Sequence, residues 1–427
     1  MRKLTLLLFV LCITGYRTNA QTTDSKLNRA PLDYSNYISQ VGKGNMAYAA
    51  ERFNLNIAET EAQSAAVFPD PELNFNWSDN GQRRMDMGYG FGSELSWTWE
   101  LGGKRKARIN LAKNQVQLTR LLLANYFQNL RSDATLSFLA SIQNKLLLQV
   151  QEEAYQSVKQ LATSDSIRHK LGSISAIDAR QSQLEALRMR NEVYAAEAEW
   201  QNALADLSLW MGTSASTELL DPQGKLTNFD RQFSVQELIT TALNNRADMQ
   251  AALQNKEVAQ SMIKLAKADR AIDLGLSIGM GYASYVRNVI APTPSTATVN
   301  AGISIPLKFS NRRSGDLRGA QYGALQAEQE YKQTEQEIQT EVKQRYQHYM
   351  ATQKQVRQYE KGLLIEAKAI LDGKIYSYKR GETSLLEVLD AQRTHNETQQ
   401  GYYQTLYNYA SSLVELERAA GIWDINF

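Results

Sequence analysis

The 427-residue sequence has very little of the chemistry that enzymes use. It contains one cysteine and three histidines, and His169, His348 and His395 are far apart in the chain. A metal centre usually needs several such ligands at short spacing, so neither a metal site nor a bound cofactor is predicted. One cysteine cannot form a disulfide within the chain. No nucleotide-binding P-loop motif is present either, so no enzymatic activity is expected.

Long apolar runs are also missing after the first twenty residues. Residues 1–20 have a positive start, an apolar centre and small residues ending at Ala20, which is typical of a cleaved secretory signal peptide. Cleavage removes the only cysteine, Cys12, which is poorly placed for lipidation because Val10 and Leu11 precede it. The rest of the chain has no run near the roughly 20 apolar residues of a membrane helix. An exported protein without a helical anchor is predicted.

An excess of charge of one sign is absent as well. The full chain has 47 basic and 45 acidic residues, and three of the basic ones, Arg2, Lys3 and Arg17, belong to the signal peptide. The remaining 44 basic and 45 acidic residues give a net charge of −1. This balance offers no electrostatic basis for a nucleic-acid partner, and none is predicted.

Proline is absent from residues 104–211 and 312–420, although the chain has seven prolines. Both stretches are rich in Ala, Leu, Gln, Glu, Lys and Arg, which are strong helix formers. From Lys104 to Lys170 there is no glycine either, so a single helix of about 100 Å is expected there. The pattern breaks after this segment and resumes, and the second stretch repeats it. Two long helical hairpins are predicted, at residues 104–211 and 313–420.

The two hairpins belong to an internal repeat. Gly172 and Gly381, which mark the two breaks, are 209 residues apart, and Gly212 and Gly421 are also 209 apart. The basic pairs that open the hairpins are 208 apart. Such a constant spacing indicates a duplicated structural unit. The predicted division is a signal peptide 1–20, a first repeat 21–212, a linker 213–234, a second repeat 235–421 and a tail 422–427.

Each hairpin is preceded by two short segments rich in glycine and aromatic residues. Apolar side chains alternate with Gly, Ser, Thr and Asn in residues 72–79, 89–101, 273–285 and 298–307. This alternation predicts strands with one apolar and one polar face, of the length that crosses a membrane. Because the smallest outer-membrane barrels have about 8 strands, four strands would need further chains to close. A soluble four-stranded sheet beside the helices is the alternative.

Several motifs stand at the ends of these elements, and together they carry a family resemblance. They are WELGGKR at 99–105, IPL at 305–307, YKRG at 378–381, LEVLDAQR at 386–393 and LERAAG at 416–421. In this order the chain resembles the TolC family of outer-membrane efflux channels over its whole mature length. The LGGKR segment is similar to the heavy-metal branch, which includes copper and cobalt-zinc-cadmium channels.

The resemblance implies a mainly α fold with a membrane β portion, assembled as a homotrimer in the outer membrane of a Gram-negative bacterium. Four strands per chain would form a twelve-stranded β-barrel, and the hairpins would form an α-barrel through the periplasm. Implied partners are a periplasmic adaptor, a proton-driven inner-membrane pump and outer-membrane lipid. The implied function is a passive exit duct for metal ions or small toxic compounds. A protein-secretion duct and a periplasmic coiled-coil interaction protein are the alternatives.

The resemblance also implies roles near the predicted closed end of the tunnel. Glu387 and Asp390 share one helix face and match family acids that line the constriction. Three chains would bring six such carboxylates together, and their mutual repulsion should raise some pKa values. Asp178 and Tyr378 match a family pair whose hydrogen bond keeps the tips closed. Thr383 departs from the family, which has a basic residue there. Ordinary solvated or packing positions are the alternative for all four.

Two further groups of residues lie at the ends of the hairpins. The resemblance implies that the hairpin tips contact the adaptor, and the tip residues are Leu171, Gly172, Ser173, Arg380, Gly381 and Glu382. The barrel–helix junction carries a basic cluster of Lys104, Arg105, Lys106, Arg108, Arg312, Arg313 and Arg318. Positive charge at a helix N-terminus opposes the helix dipole, so another interaction should favour these residues. Anionic lipid head groups are one hypothesis, and a solvated basic cluster is the other.

Overall fold

The computed structural model describes residues 29–79, 87–213, 220–226, 229–307 and 313–425. The predicted signal peptide, Cys12 and Arg312 therefore lie outside the described residues. The first half contains β1 Ala30–Asp33, α1 Tyr34–Gly44, α2 Met46–Ser64, β2 Glu72–Asp79, β3 Tyr89–Trp99, α3 Lys104–Lys170 and α4 Ala176–Trp210. The second half contains β4 Leu220–Gln223, α5 Val235–Asn245, α6 Ala247–Ala268, β5 Leu274–Ala283, β6 Thr296–Ser304, α7 Ser314–Gln358, a π-helix Tyr359–Leu363, α8 Leu364–Lys379 and α9 Leu385–Ala420.

Four long helices end in the same way. At Gly172, Gly212, Gly381 and Gly421 the backbone is left-handed, with φ between 66° and 78°. At each end the following residue donates a hydrogen bond back across the last turn, such as Ser173 N to Arg168 O at 2.9 Å and Glu382 N to Ser377 O at 2.9 Å. This is the glycine-dependent Schellman closure, because only glycine adopts that φ without steric cost. The glycine spacing in the sequence therefore marks equivalent helix ends in the two repeats.

The π-helix accounts for a small irregularity in the repeat. The spacing between equivalent residues is 208 where the hairpins begin and 209 at their tips. The helical arm that leads down to the second tip therefore has one residue more than the arm that leads down to the first. That arm consists of α7, the π-helix at Tyr359–Leu363 and α8, whereas α3 is a continuous 67-residue α-helix. A π turn closes its hydrogen bond over five residues instead of four and so accommodates one extra residue. The two tips consequently end in equivalent geometry.

The strands form one antiparallel sheet in the order β2-β3-β5-β6. Leu95 pairs with Leu73 on one side and with Ile278 on the other, and Ile278 pairs with Ala301. Because paired residues point to the same side of a sheet, one face is apolar across all four strands. The opposite face carries glycine and polar side chains. Within the described residues β2 and β6 are open edges, so a single chain does not close a barrel.

The helices below the sheet keep the order of the strands. α2 packs on α3, α3 on α6 and α6 on α7, which continues β2, β3, β5 and β6 downward as one wall. The main apolar core lies further down, where α1, α5 and α9 pack against the long helices. Its fully buried side chains include Tyr37, Phe138, Leu207, Tyr349 and Leu413. No helix in the described ranges is long and apolar enough to cross a membrane.

Candidate gate at the helical tips

The predicted adaptor-contact residues occupy the two turns between the arms of the hairpins. Leu171 follows the end of α3 and is 75% exposed. In the other turn Arg380 and Glu382 form an ion pair at 2.8 Å that flanks Gly381. Both turns are therefore exposed to solvent and reverse the chain direction at a glycine. Beyond these intrachain contacts, a docking role for the tips stays a prediction.

The helix that follows each tip, α4 in the first repeat and α9 in the second, begins with a capping box. Ser175 Oγ accepts a hydrogen bond from Asp178 N at 3.1 Å and donates to the Asp178 carboxylate at 2.8 Å. Ser384 and Glu387 form the same arrangement at 3.4 Å. These pairs are 209 residues apart, so Asp178 and Glu387 are equivalent residues of the two repeats. This local role was not predicted from the sequence, although a serine followed three residues later by an acidic residue is its signal.

A buried hydrogen bond joins the hairpin of the second repeat to that of the first. Tyr378, near the end of α8, donates its hydroxyl to Asp165 Oδ1 on α3 at 3.0 Å, and the Asp165 side chain has no exposed surface. Arg168 lies 3.8 Å from the same carboxylate and stacks over the Tyr378 ring at 4.8 Å. Burial, reinforced by the bond to Asp165, raises the pKa of Tyr378 to about 12. The phenol therefore remains a donor at neutral pH.

This geometry corrects the predicted partner of Tyr378. The expected hydrogen bond to Asp178 is replaced by one to Asp165, and the Asp178 carboxylate is occupied by Ser175. The physical reason is that Asp178 sits in the first turn of α4 and caps its own helix, whereas Asp165 lies on the face of α3 that packs against α8. The gating role of Asp178 and Tyr378 stays a prediction, with Asp165 as the residue that was missed.

A cavity of about 560 Å³ lies beside this link, between α3, α8 and α9. Arg168 and Tyr378 line it together with Gln160 and Gln392. The second carboxylate oxygen of Asp165, Oδ2, is buried without a hydrogen-bond partner. Such an atom is costly to leave unpaired, and this cost offsets part of the stabilisation that the Tyr378 hydrogen bond gives to the contact between the hairpins.

Glu387 and Asp390 are both exposed on α9, as a pore-lining role requires. Glu387 forms an ion pair with Lys374 at 2.5 Å, and Asp390 pairs with Arg393 at 2.6 Å. The expected rise in pKa concerns carboxylates brought together by three chains and stays a prediction. The Lys374 ammonium lowers the pKa of Glu387 to about 2. Glu387 is therefore ionised at every physiological pH, and its charge is partly balanced by its neighbour.

At the barrel–helix junction the predicted basic residues have protein partners. Lys104 is buried, and its Nζ lies 2.5 Å from Asp273 Oδ2. Arg105 donates to Ala66 O at 2.7 Å and stacks over Phe68 at 4.2 Å. Lys104 is therefore held by Asp273, whereas Arg105 is half-buried, and a lipid contact of the junction stays a prediction. Asp273 supplies the negative charge that compensates for a lysine at a helix N-terminus.

Arg313 has fewer protein contacts than Lys104 and Arg105. It is the N-cap of α7 and has a left-handed backbone, with φ 53°. Its side chain is 56% exposed and lies 4.0 Å from Asp269, at the limit of an ion pair. A solvent-screened pair of this kind contributes little to stability.

Among the described residues no group of three or more His, Cys, Asp and Glu side chains is arranged to hold a metal ion.

Comparison with known protein families identifies the architecture. Residues 38–213 and 238–422 match the outer membrane efflux protein family. The chain belongs to this family. It is 23% identical over 380 residues to the cobalt-zinc-cadmium resistance protein CzcC of Cupriavidus metallidurans, covering 87% of this chain and 88% of that one. It is also 23% identical to the outer membrane protein TolC of Vibrio cholerae, covering 88% of this chain and 87% of that one.

Solved structures give the same fold. The channel superposes on CusC with a TM-score of 0.75 at 20% identity, covering 91% of this chain and 92% of that one. It superposes on the Campylobacter jejuni CmeC outer membrane channel with a TM-score of 0.74 at 16% identity, covering 98% and 94%. The TolC-like fold predicted from the sequence is confirmed.

Family membership also gives the general function. The chain is an outer-membrane exit duct for efflux that extends into the periplasm. Its family consists of channels and is not a class of enzymes. Channels of this family are trimers that work with an adaptor and an inner-membrane pump.

Proposed function

We propose that this channel exports cations, with divalent transition-metal ions as the first candidates, and that its helical tips form the gate. The exposed carboxylates of Glu387 and Asp390 support cation passage, because acidic rings favour cations. Within one chain the neighbouring Lys374 ammonium lowers the pKa of Glu387, which favours the charged carboxylate. The similarity to a cobalt-zinc-cadmium resistance protein supports metal ions as the cargo.

The hydrogen bond between Tyr378 and Asp165 is the observation that carries the gate. It joins α8 of one hairpin to α3 of the other, so the hairpins cannot separate without breaking it. Breaking it in place would leave a buried carboxylate without a donor, which costs about 1–3 kcal/mol. Separation of the tips admits water to Asp165 and removes that cost. A closed resting state that an adaptor can open is the consequence.

The complete duct follows from three copies of the chain. Twelve strands would pair the open edges of β2 and β6 and close the barrel, as lipid requires of every backbone group. Repeats 21–212 and 235–421 would then alternate around one axis. A periplasmic adaptor would engage the six tip turns, at Leu171, Gly172, Ser173, Arg380, Gly381 and Glu382. A proton-driven inner-membrane pump would supply the energy.

The cargo is tested by deleting the gene in its host and measuring growth in cobalt, zinc, cadmium and copper salts and in organic toxicants. Sensitivity to the metals alone is expected. Complementation with the wild-type gene should restore growth, whereas the double variant Glu387→Gln, Asp390→Asn should restore it only in part. A matched double variant, Glu197→Gln with Glu366→Gln, keeps the same charge change on exposed helix positions and should restore it fully.

Two outcomes would overturn the metal assignment. Sensitivity to organic toxicants with normal metal growth would indicate a drug duct. Loss of a secreted protein from the medium without any toxicant sensitivity would support the protein-secretion alternative. If the Glu387 and Asp390 variant complements as well as the wild type, these carboxylates do not select the cargo.

A further inference from the structure

A lysine-lined cavity lies directly below the sheet, between α3 and α6. It has a volume of about 390 Å³, and three of its nine lining residues are Lys106, Lys264 and Lys267. None of the nine is acidic. All three lysines are exposed, in contrast to Lys104, which is buried against Asp273 only two residues from Lys106. The charge of this cavity is therefore not balanced by its own lining.

The upper wall of the cavity is backbone. Gly102 and Gly103 line it, both with left-handed φ near 70°, and Gly103 gives the N-terminus of α3 no side-chain cap. The first N–H groups of α3 thus add a partial positive charge to that of the lysines. Asn110 and Ser261 supply hydrogen-bonding groups on the lower side. The lining suits a phosphate group with polar substituents.

Chirality fixes which side of the wall this cavity faces. Tyr89 O accepts a hydrogen bond from Ser284 N, so the β3 residues with apolar side chains direct their backbone groups toward β5. For L-amino acids this places β5 to the left of β3 when the apolar face is viewed with the helices below. α6 is therefore to the left of α3, in contact through Asn114 and Ser261.

The right-handed turn of the two helices then orients the lysines. α3 runs away from the sheet and α6 runs toward it. With 100° per residue, Lys106 on α3 and both Lys264 and Lys267 on α6 lie on the same side as the apolar face of the sheet. In an outer-membrane channel that face contacts lipid. The cavity therefore opens outward at the periplasmic rim of the barrel, and away from the tunnel.

We propose that Lys106, Lys264 and Lys267 form a binding site for the phosphate of an anionic phospholipid in the inner leaflet of the outer membrane. The acyl chains would extend upward along the apolar strand faces, where Trp97 and Trp99 are exposed. The site rests on the membrane placement of the channel and not on its proposed metal cargo. It assigns the lipid contact of the junction to Lys106 together with two lysines of α6.

Quenching of tryptophan fluorescence by brominated lipids tests the site on the full-length trimer in vesicles. The wild type is expected to prefer brominated phosphatidylglycerol over brominated phosphatidylcholine about tenfold, since each lysine near an anionic surface contributes substantially to attraction. The variant Lys106→Gln, Lys264→Gln, Lys267→Gln should lose most of this preference. The matched variant Lys343→Gln, Lys354→Gln, Lys361→Gln, on exposed positions far below the sheet, should keep it.

Two outcomes would overturn the lipid site, and separate controls test whether each variant is folded. Equal preference in the wild type and the first triple variant overturns the proposal. Abolition of the preference by millimolar inorganic phosphate at constant ionic strength would also overturn it, because the site would then bind free phosphate. Trimer content and thermal midpoint establish that each variant is folded. Metal tolerance should be unchanged in the first variant, so failure of this site and failure of the proposed cargo are distinguishable.

Discussion

The two hairpin tips are built alike but fastened differently. Both have a left-handed glycine and a serine capping box, at positions 209 residues apart. At one pair of equivalent positions, however, the first repeat has Asp165 and the second has Lys374. Asp165 is buried and accepts a hydrogen bond from the other hairpin, whereas Lys374 is partly exposed and pairs with Glu387 on its own hairpin.

The residues that terminate and cap the helices at a tip are therefore distinct from the residues that connect the two hairpins. Helix termination and capping are the same in both repeats because every helix end must satisfy its backbone groups. The side chains that diverge carry the contacts between hairpins. Duplication thus supplied two equal tips, and substitution at Asp165 and Lys374 made one the acceptor of the link.

Deleting one residue from each descending arm should have very unequal consequences. Deletion of Glu153 from α3 would rotate everything below it by about 100° and turn Asp165 away from Tyr378. Deletion of Gly362, its counterpart 209 residues later, should convert the π-helix into regular α-helix. Bilayer conductance should be high, or assembly lost, for the first deletion and near wild type for the second. Equal damage would refute the role given to the π-helix.

Tyr378→Phe should weaken the closed state. The variant leaves Asp165 buried without its donor, which costs about 1–3 kcal/mol and corresponds to roughly 5- to 150-fold in the ratio of closed to open channels. Single-channel recording measures this ratio directly. Tyr376→Phe is the matched control, because Tyr376 is exposed and its hydroxyl only accepts a hydrogen bond from Arg380. Indistinguishable recordings from the two variants would remove Tyr378 from the gate.

The ends of the two repeats should differ in their response to pH. Glu417, where the first repeat has Ser208, is fully buried and pairs with Arg231 at 2.9 Å. Burial raises the pKa of Glu417 to about 8. A carboxyl that holds its proton more tightly in the folded state stabilises most below its unfolded pKa and loses this contribution as the pH rises. The thermal midpoint should therefore fall by a few degrees between pH 5 and pH 8.

Glu417→Gln tests that assignment, since the amide has no proton to lose over this range. The pH dependence of the midpoint should flatten in this variant and persist in Glu415→Gln, a neighbour whose carboxylate is partly exposed and paired with Arg345. An unchanged slope in Glu417→Gln would place the titrating group elsewhere.

The smallest effects concern the two caps. Ser175→Ala should cost about 1 kcal/mol of stability, the usual value for losing a serine cap. Ser384→Ala should cost less, because its bond to Glu387 N is 3.4 Å long against 3.1 Å for Ser175 and Asp178 N. Denaturant midpoints of the two variants measure the difference. A larger loss for Ser384→Ala would contradict it.

Much of the fold could be predicted because it depends on local sequence. The strands lie within three residues of the predicted bounds, since alternation of apolar and polar residues is read along one segment. The helix ends follow from glycine in the same way. The capping boxes were equally readable at Ser175 and Ser384, although the sequence analysis did not use them.

The partners of site residues could not be predicted in this way. Asp165 and Tyr378 are 213 residues apart, and Lys104 and Asp273 are 169 apart. Whether such residues meet depends on the rotation of long helices about their axes, which accumulates over many turns. One residue more or less changes the facing side chain. The family motif indicated Asp178 near the tip, but the phase of α3 brings Asp165 to Tyr378.

The π-helix at Tyr359–Leu363 has an effect that resembles a dislocation in a crystal. An extra lattice unit is present on one side of the defect, yet the order above and below it is intact, because the misfit is confined to one turn. A duplicated tube can therefore gain a residue in one wall without shearing the other. Insertions that lengthen such tubes during evolution should therefore occur through similar π turns, each of which disturbs only a few residues of its helix.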